Sequence, residues 1–336
     1  MKYDKILLEH GGGGLLSNEL ISEYFLPSFK NPFLERLEDS AVLTIGNQKF
    51  CFTTDSYVVS PVFFPGGNIG SLAVHGTVND LSVCGGKPLY MSCGFILEEG
   101  FPFESLQTII QTMSEAAAEA NVQIVTGDTK VVARGAADGI FINTSGIGVV
   151  EYAGTLSVKN IQTDDVIIVN GTIGDHGAAI IKARENLAIT SDILSDSAPL
   201  NGLIAEILKV SPNVHCMRDA TRGGLGAILA EIAKSAEVRI NINEKAVPVQ
   251  DNVRGVCEIL GFDPLFLANE GKMILFCPQS DAEAVLAAMR NHKYGKYAAI
   301  IGCVSKAAQG RVVLKTSIGG ERMIDLPTGE LVPRIC

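Results

Sequence analysis

The chain has 336 residues, 47% hydrophobic and 19% charged, enough apolar mass for real cores and a soft expectation of two domains. Lys and Arg number 27 against 37 Asp and Glu, a net charge of −10, which argues against nucleic acid and anionic membrane as partners. No apolar run approaches the roughly eighteen residues of a membrane span, and the opening MKYDKILLEHGGGG has acids inside its short apolar stretch and no cleavable core, so a cytoplasmic protein is expected.

In chain order, the first feature is HGGGG, residues 10–14. Four glycines are too costly in backbone entropy for the interior of a helix or strand. The run is either a floppy linker or a nest, with Gly12 and Gly13 at its centre, whose backbone N–H groups close around phosphate oxygens. Residues 41–59 read as two β-rich runs joined by a Gly-Asn turn, a hairpin signal. After FFPGGNIG comes a helical segment that the glycines of NDLSVCGGKP stop, and MSCGFILEEG reads as a strand. Over 104–120, Leu106, Ile109, Ile110, Met113, Ala116, Ala117 and Ala120 form one helical stripe after Pro102. VQIVTGD reads as a strand ending on a turn, and GIFINTSGIGVV as another strand.

A second block opens near residue 151. DDVIIVNG is a buried strand, helices follow around 177–187 and 200–209, and DATRGG is a loop feeding a helix with Leu225, Ile228, Leu229 and Ile232 on one face. GKMILFCP and DAEAVLAAMRNH add a strand and a helix. The expected fold class is α/β (α+β): a Gly-rich segment 1–38, an N-terminal domain 39–150, a C-terminal domain 151–328 and a mobile tail 329–336.

The carboxylates are the strongest chemical signal. Asp55 and Asp128 each sit where an apolar strand runs into polar residues read as a turn, and Asp39, Asp80 and Asp219 lie among small or apolar neighbours. Acids rarely enter such surroundings unpaired. Each alone reads as a turn or helix cap, but five beside a glycine nest favour a metal–phosphate site of the kind magnesium occupies. Lys130 shares the segment of Asp128, and Glu270 precedes an apolar strand; taken alone, each reads as a surface charge. Neither G-x-x-x-x-G-K-S/T nor a strand-to-helix G-x-G-x-x-G occurs, and the histidines lack metal spacing and a matching nucleophile elbow.

The eight cysteines include no C-x-x-C pair, and most sit in apolar settings as core filler. Cys336 stands apart because a chain end is rarely buried. Its α-carboxylate disfavours the thiolate, so the thiol should need a docked environment or a base. From Gly329 the tail can reach about 25 Å.

Together HGGGG, TTDSYVVSPVFFPGGNIG, TVNDLSVCGGKP, SCGFILEEG, VTGDTKVV, RDATRGGL, ANEGK and the terminal PRIC resemble the HypE family of hydrogenase maturation proteins. That family lies in an ATP-dependent superfamily with aminoimidazole ribonucleotide synthetase, selenophosphate synthetase and thiamine-monophosphate kinase. Most blocks are shared across the superfamily, and PRIC is the specific part; the weakly patterned stretch 151–200 adds little.

The resemblance implies a carbamoyl dehydratase. Cys336 would receive a carbamoyl group from the carbamoyltransferase HypF, ATP would activate the amide oxygen, and loss of phosphate would leave a thiocyanate. The cyano group would pass to iron on a HypC–HypD complex for the nickel–iron hydrogenase cofactor. The implied fold is a homodimer whose N-terminal mixed sheets form a barrel-like interface near the ATP sites. Asp55, Asp80 and Asp219 would be magnesium or phosphate-side ligands, and Asp39 and Asp128, with Gly12 and Gly13, further nucleotide-binding residues. Lys130 would neutralise developing phosphoryl charge, Glu270 would serve as base, and Cys336 would be the covalent carrier. The rival readings are a kinase or amidine-forming synthetase acting on a free small molecule, and a non-catalytic carrier that only presents its tail.

Overall fold

The structure is a computed structural model that describes residues 3–185, 192–306, 310–329, 332 and 334–336. Short helices α1 (Leu15–Leu20) and α2 (Leu26–Ser28) follow the glycine run. The hairpin of β1 (Ala41–Ile45) and β2 (Gln48–Tyr57) turns at Gly46, whose φ of 61° suits glycine. A two-residue ribbon, β3 (Phe63–Phe64) and β4 (Gly67–Asn68), leads into α3 (Ile69–Val83). Next come β5 (Gly86–Glu98), α4 (Phe103–Ala120), β6 (Gln123–Val132) and β7 (Ile140–Val150). These strands form a mixed sheet in the order β1-β2-β7-β5-β6, with β5 and β6 parallel.

α3 is buried on almost every side, which is why its sequence shows no amphipathic stripe. Small residues let it be enclosed: a Cβ on Gly76 would lie 2.2 Å from the Tyr57 hydroxyl oxygen. Two local expectations are corrected. Asp55 is not at a strand-to-turn junction but inside β2, opposite Thr144. Asp128 is not in a turn either, because parallel pairing with β5 carries β6 through it to Val132.

The second half contributes β8 (Val166–Val169), α5 (Asp175–Glu185), α6 (Asn201–Val210), β9 (Cys216–Asp219), α7 (Gly224–Ala236) and β10 (Arg239–Asn243). α8 (Asp251–Leu260), β11 (Met273–Cys277), α9 (Ala282–Asn291), β12 (Ala299–Ser305), β13 (Arg311–Lys315) and β14 (Glu321–Ile324) complete it. The sheet order is β14-β13-β10-β12-β8-β11-β9. β8 and β11 are buried throughout because α7 covers one face and α6 with α9 the other, so both read as continuous apolar runs. β9, at one edge, lies against α3 of the first half. Among the described residues, no helix is long and apolar enough to cross a membrane.

Candidate active site

The seam where α3 meets β9 collects the acids. Asp80 projects from α3, Asp55 from β2, Asp219 from the end of β9 and Asp39 from the turn before β1, and all four line one cavity of about 460 Å³. Carboxylate oxygens of Asp39, Asp80 and Asp219 lie within 4.8 Å of one another. This differs from the set expected from sequence: Asp39 joins the trio, and Asp55 lines the same cavity outside it. An all-carboxylate donor set suits a hard cation such as magnesium.

Crowded along one wall of the cavity, with Asp219 buried and Asp39, Asp55 and Asp80 half-buried, these groups resist ionisation. Burial, then repulsion from Asp55, Asp219 and Asp39, pushes Asp80 well above the usual carboxylate range. Burial, then Asp39, does the same to Asp219, and burial raises Asp55. Asp39 is also raised by burial, against the opposing pull of Arg218, whose Nε lies 2.8 Å from Oδ1 and 2.7 Å from Oδ2.

Thr53 stands between two of these acids. Its hydroxyl is 2.9 Å from the Asp39 carbonyl oxygen and 2.8 Å from Asp80 Oδ2. A hydroxyl donates once, and the carbonyl can only accept. Both contacts are satisfied when Thr53 donates to Asp39 and a protonated Asp80 donates to Thr53, in agreement with the raised Asp80.

Arg222 links this pocket to the chain terminus. It lines the cavity, donates from Nη1 to the Gly11 carbonyl at 3.0 Å, and is pushed up first by the negative charge of Cys336, then by Asp55 and Glu270. The tail is therefore not an exposed arm in this structure, contrary to expectation. Ile335 is 4% exposed, Cys336 is half-buried, and the Val58 N–H donates to the Cys336 oxygen at 3.0 Å. Ser60 N–H donates to the Arg334 carbonyl at 3.2 Å, and Arg334 Nε returns a bond to the Val58 carbonyl at 2.9 Å. Arg334 also pairs with Asp138. The thiol that does lie exposed is Cys303, outside the core-filling role expected of the cysteines other than Cys336.

Glu270 is a buried charge and not a surface one, at 3% exposure. Asp196 accepts from its N–H at 3.1 Å, and Asn79 Nδ2 donates to its carbonyl at 3.3 Å, so its backbone is fixed from both sides. Its Oε1 is buried with no hydrogen-bond partner among the described residues. Burial, then Asp219 and Asp196, raises it well above the carboxylate range.

Three expectations place residues elsewhere. Asp128 and Lys130 pair with each other on β6 at 70% and 67% side-chain exposure and do not line the acid cavity. Gly13, at φ 74°, lines it, but Gly12 lies in a small neighbouring cavity with Arg222 and Ile335. The run is not a bare nest, because the Gly12 and Gly13 N–H groups are taken by the Glu9 carbonyl and Ser17 Oγ. Thr53, Arg218, Arg222 and Asp196 were not singled out from sequence; the nearest signal was the position of both arginines in RDATRGGL.

Residues 37–150 match the family of the AIR synthase related protein, N-terminal domain, and residues 162–315 match its C-terminal domain. Over all of this chain and 98% of the relative, the sequence is 47% identical to the carbamoyl dehydratase HypE of Azotobacter vinelandii. The fold is similar to HypE in a crystallised HypE–HypF complex, with 47% identity and a TM-score of 0.87 over 92% of this chain and 99% of that one. It is also similar to a HypE crystallised with ATP, with 47% identity and a TM-score of 0.83 over 99% and 100% of the two chains.

Proposed function

Because the chain belongs to the HypE family of carbamoyl dehydratases, we propose that it converts a carbamoyl group on its own Cys336 into a thiocyanate, with ATP as the activating substrate. The observation that supports this most is the place of Arg222, which lines both the acid cavity with Asp39, Asp55, Asp80 and Asp219 and the small cavity that Ile335 reaches. One cation thus stands between the acids and the residue that precedes Cys336.

An amide oxygen is a poor leaving group and departs once phosphorylated. The amide oxygen attacks the γ-phosphorus and ADP leaves. A nitrogen proton is removed, the C–O bond breaks with release of phosphate, and loss of the second nitrogen proton leaves S–C≡N. The net change at the thiol is loss of the elements of water. Asp39, Asp80 and Asp219 would hold magnesium, whose chemistry is to neutralise phosphate charge. Arg222 complements the anion at the terminus, and Glu270 takes a nitrogen proton when ionised.

Lys130 lies outside this cavity, so its role requires a second copy. The outer face of the N-terminal sheet exposes Phe52, Ile96 and Ile147, and β6 exposes Ile124 and Val131, which favours a homodimer closed through that sheet. Lys130 and Asp128 would then serve the partner's site. HypF is the proposed carbamoyl donor, and a HypC–HypD iron complex the proposed acceptor of the cyano group.

The test is mass spectrometry of the protein with ATP, magnesium and HypF with its carbamoyl substrate. Addition of a carbamoyl group at Cys336 followed by loss of one water supports the reading. ATP turnover with an unmodified Cys336 points instead to a kinase or synthetase of a free small molecule, and tail modification without turnover to a passive carrier.

A further inference from the structure

His176 is completely buried at the start of α5, and its ring is used on both sides. Nε2 lies 2.8 Å from the Ile335 carbonyl oxygen, and Nδ1 lies 2.8 Å from Ser195 Oγ. The carbonyl can only accept, so Nε2 carries the hydrogen and Nδ1 of the neutral ring accepts from Ser195. Phe64 packs edge-on against the ring at 5.4 Å and fixes its plane. Burial lowers the pKa of His176, so the neutral tautomer that donates to the tail is the stable one.

Ser195 belongs to an extended segment that also serves Glu270. Asp196, next in sequence, accepts from the Glu270 N–H at 3.1 Å, the Gly271 N–H at 3.2 Å and Lys272 Nζ at 2.8 Å. Adjacent residues of one segment therefore orient the histidine that holds the last peptide group and the backbone of the buried carboxylate.

We propose that His176, oriented by Ser195, is a positioning residue: it grips the carbonyl that precedes Cys336 and sets the terminal thiol in register with Glu270. It touches neither ATP nor the reacting atoms. This rests on the carrier role of Cys336 for its catalytic consequence, but the docking itself is measurable without any turnover.

Cys303 is exposed and supplies an internal reference. In the full-length protein, the rate of iodoacetamide alkylation at Cys336 is divided by that at Cys303, each read by mass spectrometry. Removing one buried hydrogen bond in His176→Ala should raise the ratio about fivefold. His176→Gln, which can still present an amide donor, should restore most of the protection, a rescue that a purely space-filling role would not give. If His176→Ala opens the whole fold, the buried Cys216 and Cys257 will react as well. Ser195→Ala, which removes only the orienting hydroxyl, then decides. An unchanged ratio in a folded His176→Ala, or in Ser195→Ala when the alanine variant has opened, overturns the proposal. Single-turnover dehydration from carbamoylated Cys336 should slow in the variants whose ratio rises. A raised ratio in a protein whose wild type never dehydrates would sustain the docking and reject the carrier reading.

Discussion

The N–H of Val58 is hydrogen-bonded to the terminal oxygen of Cys336 at 3.0 Å, one residue beyond the end of β2 and two beyond Ser56. The chain end thus lies against residues 58–60, just past β2, and the half-buried Cys336 is held through its main chain. Its side chain should be replaceable without loss of the dock. Cys336→Ala should leave the melting temperature and ATP binding close to wild type while eliminating cyano-group formation. Ile335→Ala, which removes three buried carbons, should weaken docking by about 2 kcal/mol, or roughly thirtyfold in a tail-release equilibrium. Carboxypeptidase release of the terminal residue in both variants measures it. Equal protection in wild type and Ile335→Ala would mean that the tail is not held by its apolar side chain.

Burial and the charges of Asp55, Asp219 and Asp39 raise Asp80 well above the usual carboxylate range, so a proton competes with magnesium for its oxygens. A raised pKa keeps the acid neutral over a wider pH range, so affinity for magnesium with ATP should rise with pH and binding should release protons. Calorimetry in buffers of different ionisation enthalpy reads the release directly. Asp80→Asn should weaken binding and abolish the Asp80 part of the release. Asp55→Asn, outside the closest trio, should have the smaller effect; the reverse order would move the cation toward β2.

The acids and the main elements were legible because buried charge among apolar residues and periodic stripes are local signals. The stripe of residues 104–120 is α4, and the Gly-Asn turn joins β1 to β2. What stayed hidden depends on contacts distant in sequence. α3 looked mixed because it is enclosed on all sides, and the weakly patterned stretch 151–200 added little to the resemblance although Ser195, Asp196 and Ser197 bind His176, the Glu270 backbone and His75. The tail misled for the same reason: nothing in PRIC announces that Val58, Ser60 and His176 receive it.

His75 gives a stability test away from the chemistry. Burial lowers its pKa from 6.5 to about 4, with Nδ1 3.0 Å from Ser197 Oγ. The unfolded chain therefore binds the additional proton between those two values. The stabilising preference for neutral His75 is complete above 6.5 and is lost as pH falls toward 4. Between pH 7 and pH 5 the loss should be about 2 kcal/mol. Urea unfolding of wild type and His75→Gln at both pH values isolates it, because the raised acids of the pocket act alike in the two proteins. Parallel pH profiles would show that His75 does not titrate in this range.

Glu270 carries the hardest demand on the proposed chemistry. It sits at 3% exposure with Oε1 unpartnered among the described residues, and burial with Asp219 and Asp196 holds it well above the ordinary carboxylate range. A base must be ionised to act, so its elevated pKa leaves the active form scarce at low pH. The single-turnover rate from carbamoylated Cys336 should therefore keep rising with pH past the usual value of 4.5, flattening only above the elevated pKa. The same elevation makes Glu270 a stronger base once ionised, and Arg222, which opposes the shift, brings that ionisation closer to neutrality. Glu270→Gln preserves shape but cannot take a proton. It should retain ATP and the carbamoylated tail, lose about 10²–10⁴-fold in dehydration rate, and flatten the pH limb. Loss of rate with the limb intact would assign the titration to another group and leave Glu270 a role in packing. Dehydration at the normal rate would remove it from the proton transfer altogether.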